Sequence, residues 1–154
     1  MKTGNNIDNY LNVKFKSISE NESLARLIIS SFILPLNPTM DELNDIKTSV
    51  SEGVTNSIIH GYNNEKNNII TLEAFIRDRE VTIKIIDDGV GIKDIQRAKE
   101  PLFTSKPELE RSGLGFTIME SFMDELNVCS EEGKGTTLVM TKKILSSKGN
   151  TYNE

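Results

Sequence analysis

Two polar side chains stand one helical turn apart in the segment SEGVTNSIIHGY, which covers residues 51–62. Glu52 carries a carboxylate that can accept or orient a proton, and Asn56 carries an amide oxygen that can bind a hard metal ion. Residues four apart on a helix differ by about 40° of rotation, so Glu52 and Asn56 share one face. Thr48 and His60 continue the same line. Such a line is also typical of the solvated edge of an amphipathic helix, so the pair alone establishes no function.

A second cluster, Asp87-Asp88-Gly89-Val90-Gly91, directly follows a predicted buried strand. Asp-Gly and Gly-x-Gly are common in turns, so one interpretation is an ordinary strand exit. The other interpretation is ligand binding. A carboxylate at a strand end can accept hydrogen bonds from the amino edge of a flat heterocycle, and the glycines let the ring approach the main chain. Of the two carboxylates, the strand-end position favours Asp87.

A third cluster, Arg111-Ser112-Gly113-Leu114-Gly115, stands between a polar, proline-containing stretch and a predicted helix. Glycines that open a helix expose backbone N–H groups at the positive end of its dipole, which suits a phosphate. Upstream, Thr104, Ser105 and Lys106 could close over the anion together with Arg111, as a mobile lid. The alternative is a surface loop with a glycine at a helix start. A P-loop pattern is absent from the sequence, which excludes that class of phosphate site.

The hydrophobic pattern predicts the elements that position these clusters. Capping boxes at Ser19/Glu22 and Thr39/Glu42 are predicted to start the first two helices, and Gly61 is predicted to end the second at its C′ position. The order β-α-α-β-β-α-loop-α-β-β predicts an α/β two-layer sandwich, in which a mixed, mostly antiparallel sheet has helices on one face. The predicted strands are residues 11–18, 68–77, 80–87, 126–131 and 136–144, and the predicted helices are about 20–34, 40–60, 92–98 and 114–125.

Composition limits the function further. The 154 residues are expected to form one domain, with an ordered core over about 10–145 and flexible ends. The net charge of −5 argues against nucleic-acid binding, and the absence of a long apolar run or a signal peptide predicts a cytoplasmic protein without a membrane span. The single cysteine and single histidine exclude thiolate and multi-histidine metal sites. We expect Cys129 to be a core residue and His60 to support the helix end.

Gly135-Thr136-Thr137 is a commonplace strand start, but the four clusters in this order resemble the N, G1, G2 and G3 boxes of the Bergerat-type, histidine-kinase-like ATP-binding fold. That family includes the ATPase subunit of DNA gyrase, MutL and the histidine kinases. Over about residues 10–145 the chain is most similar to its anti-sigma F branch, from endospore-forming bacteria. The segment PLFTSKPELERSG carries the likeness to that branch in particular.

The resemblance implies a homodimeric, ATP-dependent protein serine kinase that inhibits the sporulation sigma factor F and phosphorylates its antagonist, the anti-anti-sigma factor. Glu52 would be the catalytic residue that accepts or orients the serine proton, and Asn56 would bind Mg²⁺. Arg26 would be a contact shared by the two partner proteins. The other residues implied in ATP or ADP binding are Asp87, Gly89, Gly91, Thr104, Ser105, Lys106, Arg111, Gly113, Leu114, Gly115 and Thr136.

Two other functions stay open. One is a module that sequesters its partner in an ATP-dependent manner without kinase activity, and Glu52 counts against it because a pure binder has no need of the acid. The other is a kinase of the same fold that serves a different, stress-type sigma factor. The branch-specific lid counts against this second alternative.

Overall fold

The computed structural model describes residues 7–100 and 114–145. The element order of the described chain agrees with the order that the sequence predicts. The strands are β1 (Asn9–Lys16), β2 (Ile69–Arg77), β3 (Glu80–Asp87), β4 (Glu125–Glu131) and β5 (Gly135–Lys143). The helices are α1 (Glu20–Ile33), α2 (Met40–Asn56), α3 (Ile95–Ala98) and α4 (Gly115–Phe122), with a short 3₁₀ turn at Leu34–Leu36 and a π-helical turn at Ser57–Gly61.

The five strands form one sheet in the order β1-β2-β3-β5-β4. Each neighbouring pair of described strands is antiparallel, so the sheet lacks the parallel component that a mixed sheet would have. β5 lies between β3 and β4, and this places the start of β5 directly beside the end of β3. Asp87 at the end of β3 therefore pairs with Thr136 near the start of β5. The second and fourth sequence clusters therefore meet where β3 ends and β5 begins.

Alternate residues of the central strands are buried beneath the helices, as the period-two pattern predicts. The buried strand residues include Ile70, Leu72, Ala74 and Ile76 of β2 and Val81, Ile83 and Ile85 of β3. The helices contribute Ala25, Ile29 and Ile33 of α1 and Ile46, Val50 and Val54 of α2. α2 lies close against β3, because a Cβ atom at Gly53 would collide with the side chain of Ile85. The result is the two-layer α/β architecture that the sequence predicts.

The two predicted capping boxes have different outcomes. At the start of α2 the box is confirmed: the Glu42 N–H donates to Thr39 Oγ1 at 3.1 Å, and the Thr39 N–H donates to Glu42 Oε1 at 2.9 Å. At the start of α1 the prediction is wrong, because Ser19 makes no side-chain cap and its backbone is already helical. Glu22 instead accepts a hydrogen bond from Thr55 of α2 at 3.1 Å. Glu22 therefore bonds to the neighbouring helix α2 and does not take part in a local capping box.

The predicted C′ role of Gly61 is also wrong. α2 passes into the π-helical turn, and the residues with left-handed backbone are Asn63 and Asn64, at φ 53° and 62°. Gly61 lies instead where a Cβ atom would come within 2.9 Å of the Asp87 carboxylate. Its lack of a side chain serves a tertiary contact, and π-helical turns of this kind are frequent at functional sites.

Other differences concern boundaries and one side chain. α3 begins at Ile95, later than predicted, because Asp94 caps it by accepting the Arg97 N–H at 3.1 Å. α4 ends at Phe122, before the predicted residue 125. Cys129 is exposed, contrary to the prediction of a core residue. The alternation of β4 directs its neighbours Leu126 and Val128 toward the core and leaves Cys129 on the other face.

Ser19 and Thr39, which precede α1 and α2, give a matched test of folding stability. Thr39→Ala removes a side chain that satisfies a free N–H group of α2, so it should lower the free energy of unfolding by about 1 kcal/mol. Ser19→Ala removes an exposed hydroxyl without a cap hydrogen bond and should change stability little. Urea denaturation of both variants measures the difference. Equal losses of unfolding free energy in Thr39→Ala and Ser19→Ala would contradict the conclusion that Thr39 caps α2 and Ser19 does not cap α1.

Candidate functional site

A cleft of about 520 Å³ opens between the end of α2, the turn after β3, α3 and the first turn of α4. It is the place where the four sequence clusters come together in the described part of the chain. The lining includes Asn56 and His60 from the first cluster, Asp87 and Gly91 from the second, Gly115 from the third and Thr136 from the fourth. Residues far apart in the sequence thus share one cavity, of a size typical of small-molecule sites.

The first residue of α4 touches the polar line of α2. A Cβ atom at Gly115 would lie 3.2 Å from Glu52 Oε2 and 3.3 Å from both amide atoms of Asn56. Glu52 and Asn56 are both half-buried, so their line faces α4 rather than open water. The N-terminal end of α4 therefore stands directly over one carboxylate and one carboxamide. Helix N-termini favour anions because of their free N–H groups and dipole, so this junction suits a phosphate held between the two helices.

Asp87 is 5% exposed, and its carboxylate is held from two sides. The Ser57 hydroxyl donates to Oδ2 at 2.9 Å, and the Gly89 N–H donates to Oδ1 at 3.0 Å. Burial raises the pKa of Asp87, and the hydrogen bonds from these donors oppose that rise. Asp88, by contrast, is exposed. A carboxylate fixed in a cleft in this way can act as a directed hydrogen-bond acceptor.

Glycines permit the close packing around this carboxylate. A Cβ atom at Gly89 would collide with the Gly61 carbonyl, whose oxygen accepts the Val90 N–H at 3.0 Å. Gly91 has φ 74°, in the left-handed region that favours glycine, and lies against the backbone of Glu131. The turn after β3 is therefore packed between the π-helical turn on one side and the β4–β5 connection on the other.

Comparison with known proteins agrees with this arrangement. Residues 16–142 match the family of histidine kinase-like ATPase domains. An anti-sigma F factor of Oceanobacillus iheyensis is 58% identical over 140 residues, which cover 91% of this chain and 96% of the relative. The chain belongs to the anti-sigma F factors. That of Clostridium beijerinckii is 56% identical over 89% of this chain and 96% of its own length, and that of Geobacillus kaustophilus is 56% identical over 91% and 96%.

A solved structure supports the same fold at much lower sequence identity. The crystal structure of the RsbU and RsbW domains of a Mycobacterium tuberculosis protein aligns with a TM-score of 0.63 at 18% identity. The alignment covers 88% of this chain and 32% of the mycobacterial chain, so the present chain spans about a third of that longer protein. This likeness supports the fold, and the histidine kinase-like ATPase family is shown by the match over residues 16–142.

The predicted site residues of this anti-sigma F chain fall into two groups. Asn56, Asp87, Gly91, Gly115 and Thr136 line the cleft, Glu52 touches the position of Gly115, Gly89 follows Asp87, and Leu114 immediately precedes α4. Thr104, Ser105, Lys106, Arg111 and Gly113 lie outside the described residues. Among the described residues, the cations that line the cleft are Lys93, Arg97 and Lys99, which the sequence reasoning did not single out.

Three hydroxyl groups around Asp87 and its turn were also missed. Ser57 donates to Asp87, Tyr62 accepts the Asp88 N–H at 2.7 Å, and Ser130 lies 2.8 Å from Thr136 Oγ1. Ser57 and Tyr62 both belong to the first cluster, and Ser57 directly follows Asn56 there. The Tyr62 hydroxyl bonds to a residue 26 positions away, which no local pattern indicates, whereas Ser130 and Thr136 are six residues apart across the β4–β5 connection.

Arg26, the candidate partner contact, is joined to the helix that carries Glu52. Its guanidinium donates to Glu22 Oε1 and to Ser51 Oγ, both at 2.9 Å. Ser51 directly precedes Glu52, and Thr55, which donates to Glu22, directly precedes Asn56. A polar network between α1 and α2 therefore lies immediately behind the two residues at the start of the site.

Two further features of the described residues concern metal binding and membrane spans. Within residues 7–100 and 114–145, there is no group of three or more His, Cys, Asp or Glu side chains placed to hold a metal ion. Beside Gly115 lie two side-chain oxygen atoms, Glu52 Oε2 and Asn56 Oδ1, which are of the type that hard ions such as Mg²⁺ bind. In the same residues, no helix combines the length and apolar character of a membrane span.

Asp87→Asn should remove a pH dependence of folding stability. Burial raises the pKa of Asp87 in the folded chain, so the folded state binds this proton more tightly than the unfolded state does. The contribution of Asp87 to wild-type stability should therefore fall as the pH rises from the ordinary carboxyl value of about 3.9 through the higher folded value. Relative to wild type, Asp87→Asn should gain stability over that interval and keep a constant difference above it.

Denaturation without nucleotide, at a series of pH values from acid to neutral, measures this difference. Asp88→Asn changes the exposed neighbour and is the matched control. Parallel pH profiles for wild type and Asp87→Asn would contradict the assignment of a desolvated carboxylate at Asp87.

Proposed function

We propose that this anti-sigma F chain is a Mg²⁺- and ATP-dependent protein serine kinase. In this proposal it binds and inhibits sigma factor F and phosphorylates the anti-anti-sigma factor on serine. The observation that carries the proposal is the junction at Gly115, where a helix N-terminus meets one acid and one amide. A site that only bound ATP would need the helix end and the amide but would have no use for the acid.

The nucleotide would lie along the cleft with its base at Asp87 and its phosphates at α4. The buried Asp87 carboxylate would accept the adenine amino group, and Thr136 stands beside it in the β3–β5 pair. Gly115 and Leu114 would present backbone N–H groups to the phosphates. Thr104, Ser105, Lys106, Arg111 and Gly113 keep their proposed roles as lid and phosphate contacts on the strength of the resemblance.

Asn56 would hold the magnesium ion through its amide oxygen. Magnesium keeps most of its water and takes few protein ligands, so one carboxamide beside the phosphates fits its chemistry. A bound magnesium ion would neutralise charge on the phosphates. Asn56 is half-buried, lines the cleft and lies next to Gly115.

Glu52 would accept or orient the proton of the incoming serine hydroxyl. It lies one helical turn from Asn56 and beside the same glycine, so the acid and the amide point to one place. Phosphoryl transfer has a loose transition state, and positioning contributes more to it than base strength does. The Glu22–Thr55 and Arg26–Ser51 hydrogen bonds support this positioning, because they fix α2 from behind.

The partner contacts we propose lie on α1 and on the sheet. α1 exposes Leu24 and Leu27 near the half-buried Arg26, which suits docking of another protein. The chain would act as a homodimer, for which the sheet face that no described helix covers is available. We further propose that residues 1–154 form a single domain and that the protein works in the cytoplasm, where the sigma factor acts.

Glu52→Gln should separate binding from phosphorylation. The variant keeps the size and hydrogen-bonding capacity of the side chain, so Mg·ATP should still bind, while serine phosphorylation falls by about 10²- to 10⁴-fold. Labelled ATP and purified anti-anti-sigma factor measure the transfer, and calorimetry measures nucleotide binding. Asn56→Ala is the paired variant and should lose the magnesium-dependent part of the affinity. Unchanged turnover in Glu52→Gln would remove Glu52 from the mechanism.

Arg26→Ala should weaken the complexes with both partner proteins by about tenfold or more, as expected for lost hydrogen bonds to a charged group. Its affinity for ATP should stay unchanged. Ser51→Ala removes the same contact to α2 but keeps the guanidinium, so it should leave partner binding intact. Surface plasmon resonance with each partner compares the two variants. Similar losses in both would assign Arg26 a role in helix packing instead of docking.

A further inference from the structure

The hydroxyl group of Tyr62 joins the ends of two neighbouring strands. It donates to the Ile69 carbonyl oxygen at 2.6 Å and accepts the Asp88 N–H at 2.7 Å. Ile69 begins β2, and Asp88 follows the last residue of β3. Tyr62 is 6% exposed, and burial raises the pKa of its hydroxyl, which therefore keeps the proton that it donates. The Tyr62 hydroxyl is therefore a buried group that both donates and accepts a hydrogen bond.

The position of this contact matters because the peptide unit between Asp87 and Asp88 leaves the regular sheet. The β3–β5 pairing holds the chain as far as Asp87, opposite Thr136. The next N–H group, that of Asp88, bonds to the Tyr62 hydroxyl instead of to a strand. The hydroxyl thus fixes the orientation of the peptide that carries the Asp87 side chain. Among the described residues, Tyr62 does not itself line the cleft.

We propose that Tyr62 is a positioning residue for nucleobase recognition, which aims the Asp87 carboxylate and so sets the preference of the cleft for a purine with a 6-amino group. The inference rests on the proposed function, since it requires that Asp87 contacts the base. Without the Tyr62 hydroxyl, the Asp88 N–H loses its acceptor and the peptide unit between Asp87 and Asp88 is less restrained. A misdirected carboxylate then loses its hydrogen bond to the amino group, while contacts to sugar and phosphates are retained.

Comparison of ADP with inosine diphosphate tests this role. Inosine diphosphate carries a carbonyl oxygen in place of the 6-amino group, so it has no 6-amino proton for Asp87 and its nearest base donor is N1–H, while the ribose and both phosphates are unchanged. Wild type should prefer ADP. Tyr62→Phe should reduce that preference about fivefold, the weight of one ordinary hydrogen bond, with little change in the affinity for inosine diphosphate. Tyr10→Phe is the matched control, because that hydroxyl is on an exposed residue of β1, and it should behave as wild type.

The outcomes separate positioning from general support. Equal weakening of both nucleotides by Tyr62→Phe, or an unchanged preference, would overturn the inference. Circular dichroism checks that the variant is folded. Site-specific replacement of Tyr62 by 3-fluorotyrosine keeps the ring and weakens the hydroxyl as an acceptor, so it serves as a second variant and should shift the preference in the same direction.

If wild type binds neither nucleotide, the proposed function fails as well. If wild type prefers ADP and Tyr62→Phe keeps that preference, only the inference about Tyr62 fails.

Discussion

The Asp87 carboxylate is almost completely removed from water at the point where β3 leaves the sheet. A buried charge is costly unless donors surround it, and the raised pKa of Asp87 is a direct result of that burial. Ser57 and Gly89 supply two of the donors, from segments on either side of the β2–β3 hairpin. The end of α2 and the exit of β3 must therefore meet before the carboxylate can be directed at a ligand.

The end of α2 and the exit of β3 can meet because glycines let their backbones approach each other closely. Gly61 lies against the Asp87 carboxylate, Gly89 lies against the Gly61 carbonyl, and Gly115 lies against Glu52 and Asn56. Each contact leaves no room for a larger side chain without movement of the neighbouring group. The glycines thus let the turn after β3 and the start of α4 both pack closely against the end of α2 and its π-helical turn. The α1–α2 network through Arg26 then links the proposed partner surface to the same helix.

The sequence predicted those features that depend on neighbouring residues. The period-two strands, the Thr39 cap and the order of the elements follow from local patterns, and the four clusters share one cleft because that order places them at one edge of the sheet. Contacts between residues far apart in the sequence made two other predictions wrong. Glu22 left its predicted cap for Thr55, thirty-three residues away, and Gly61 serves a contact with Asp87 instead of a helix end. Tyr62 likewise bonds to the distant Asp88, a contact that no local pattern indicates.

A crystal structure with magnesium and a non-hydrolysable ATP analogue tests the central claim most directly. The account predicts the adenine amino group about 3 Å from the Asp87 carboxylate, the usual length of such a hydrogen bond. It also predicts the amide oxygen of Asn56 on the metal ion, with the terminal phosphate between Glu52 and the start of α4. A nucleotide bound elsewhere, or bound in this cleft with Asp87 and Asn56 turned away from it, would contradict the account.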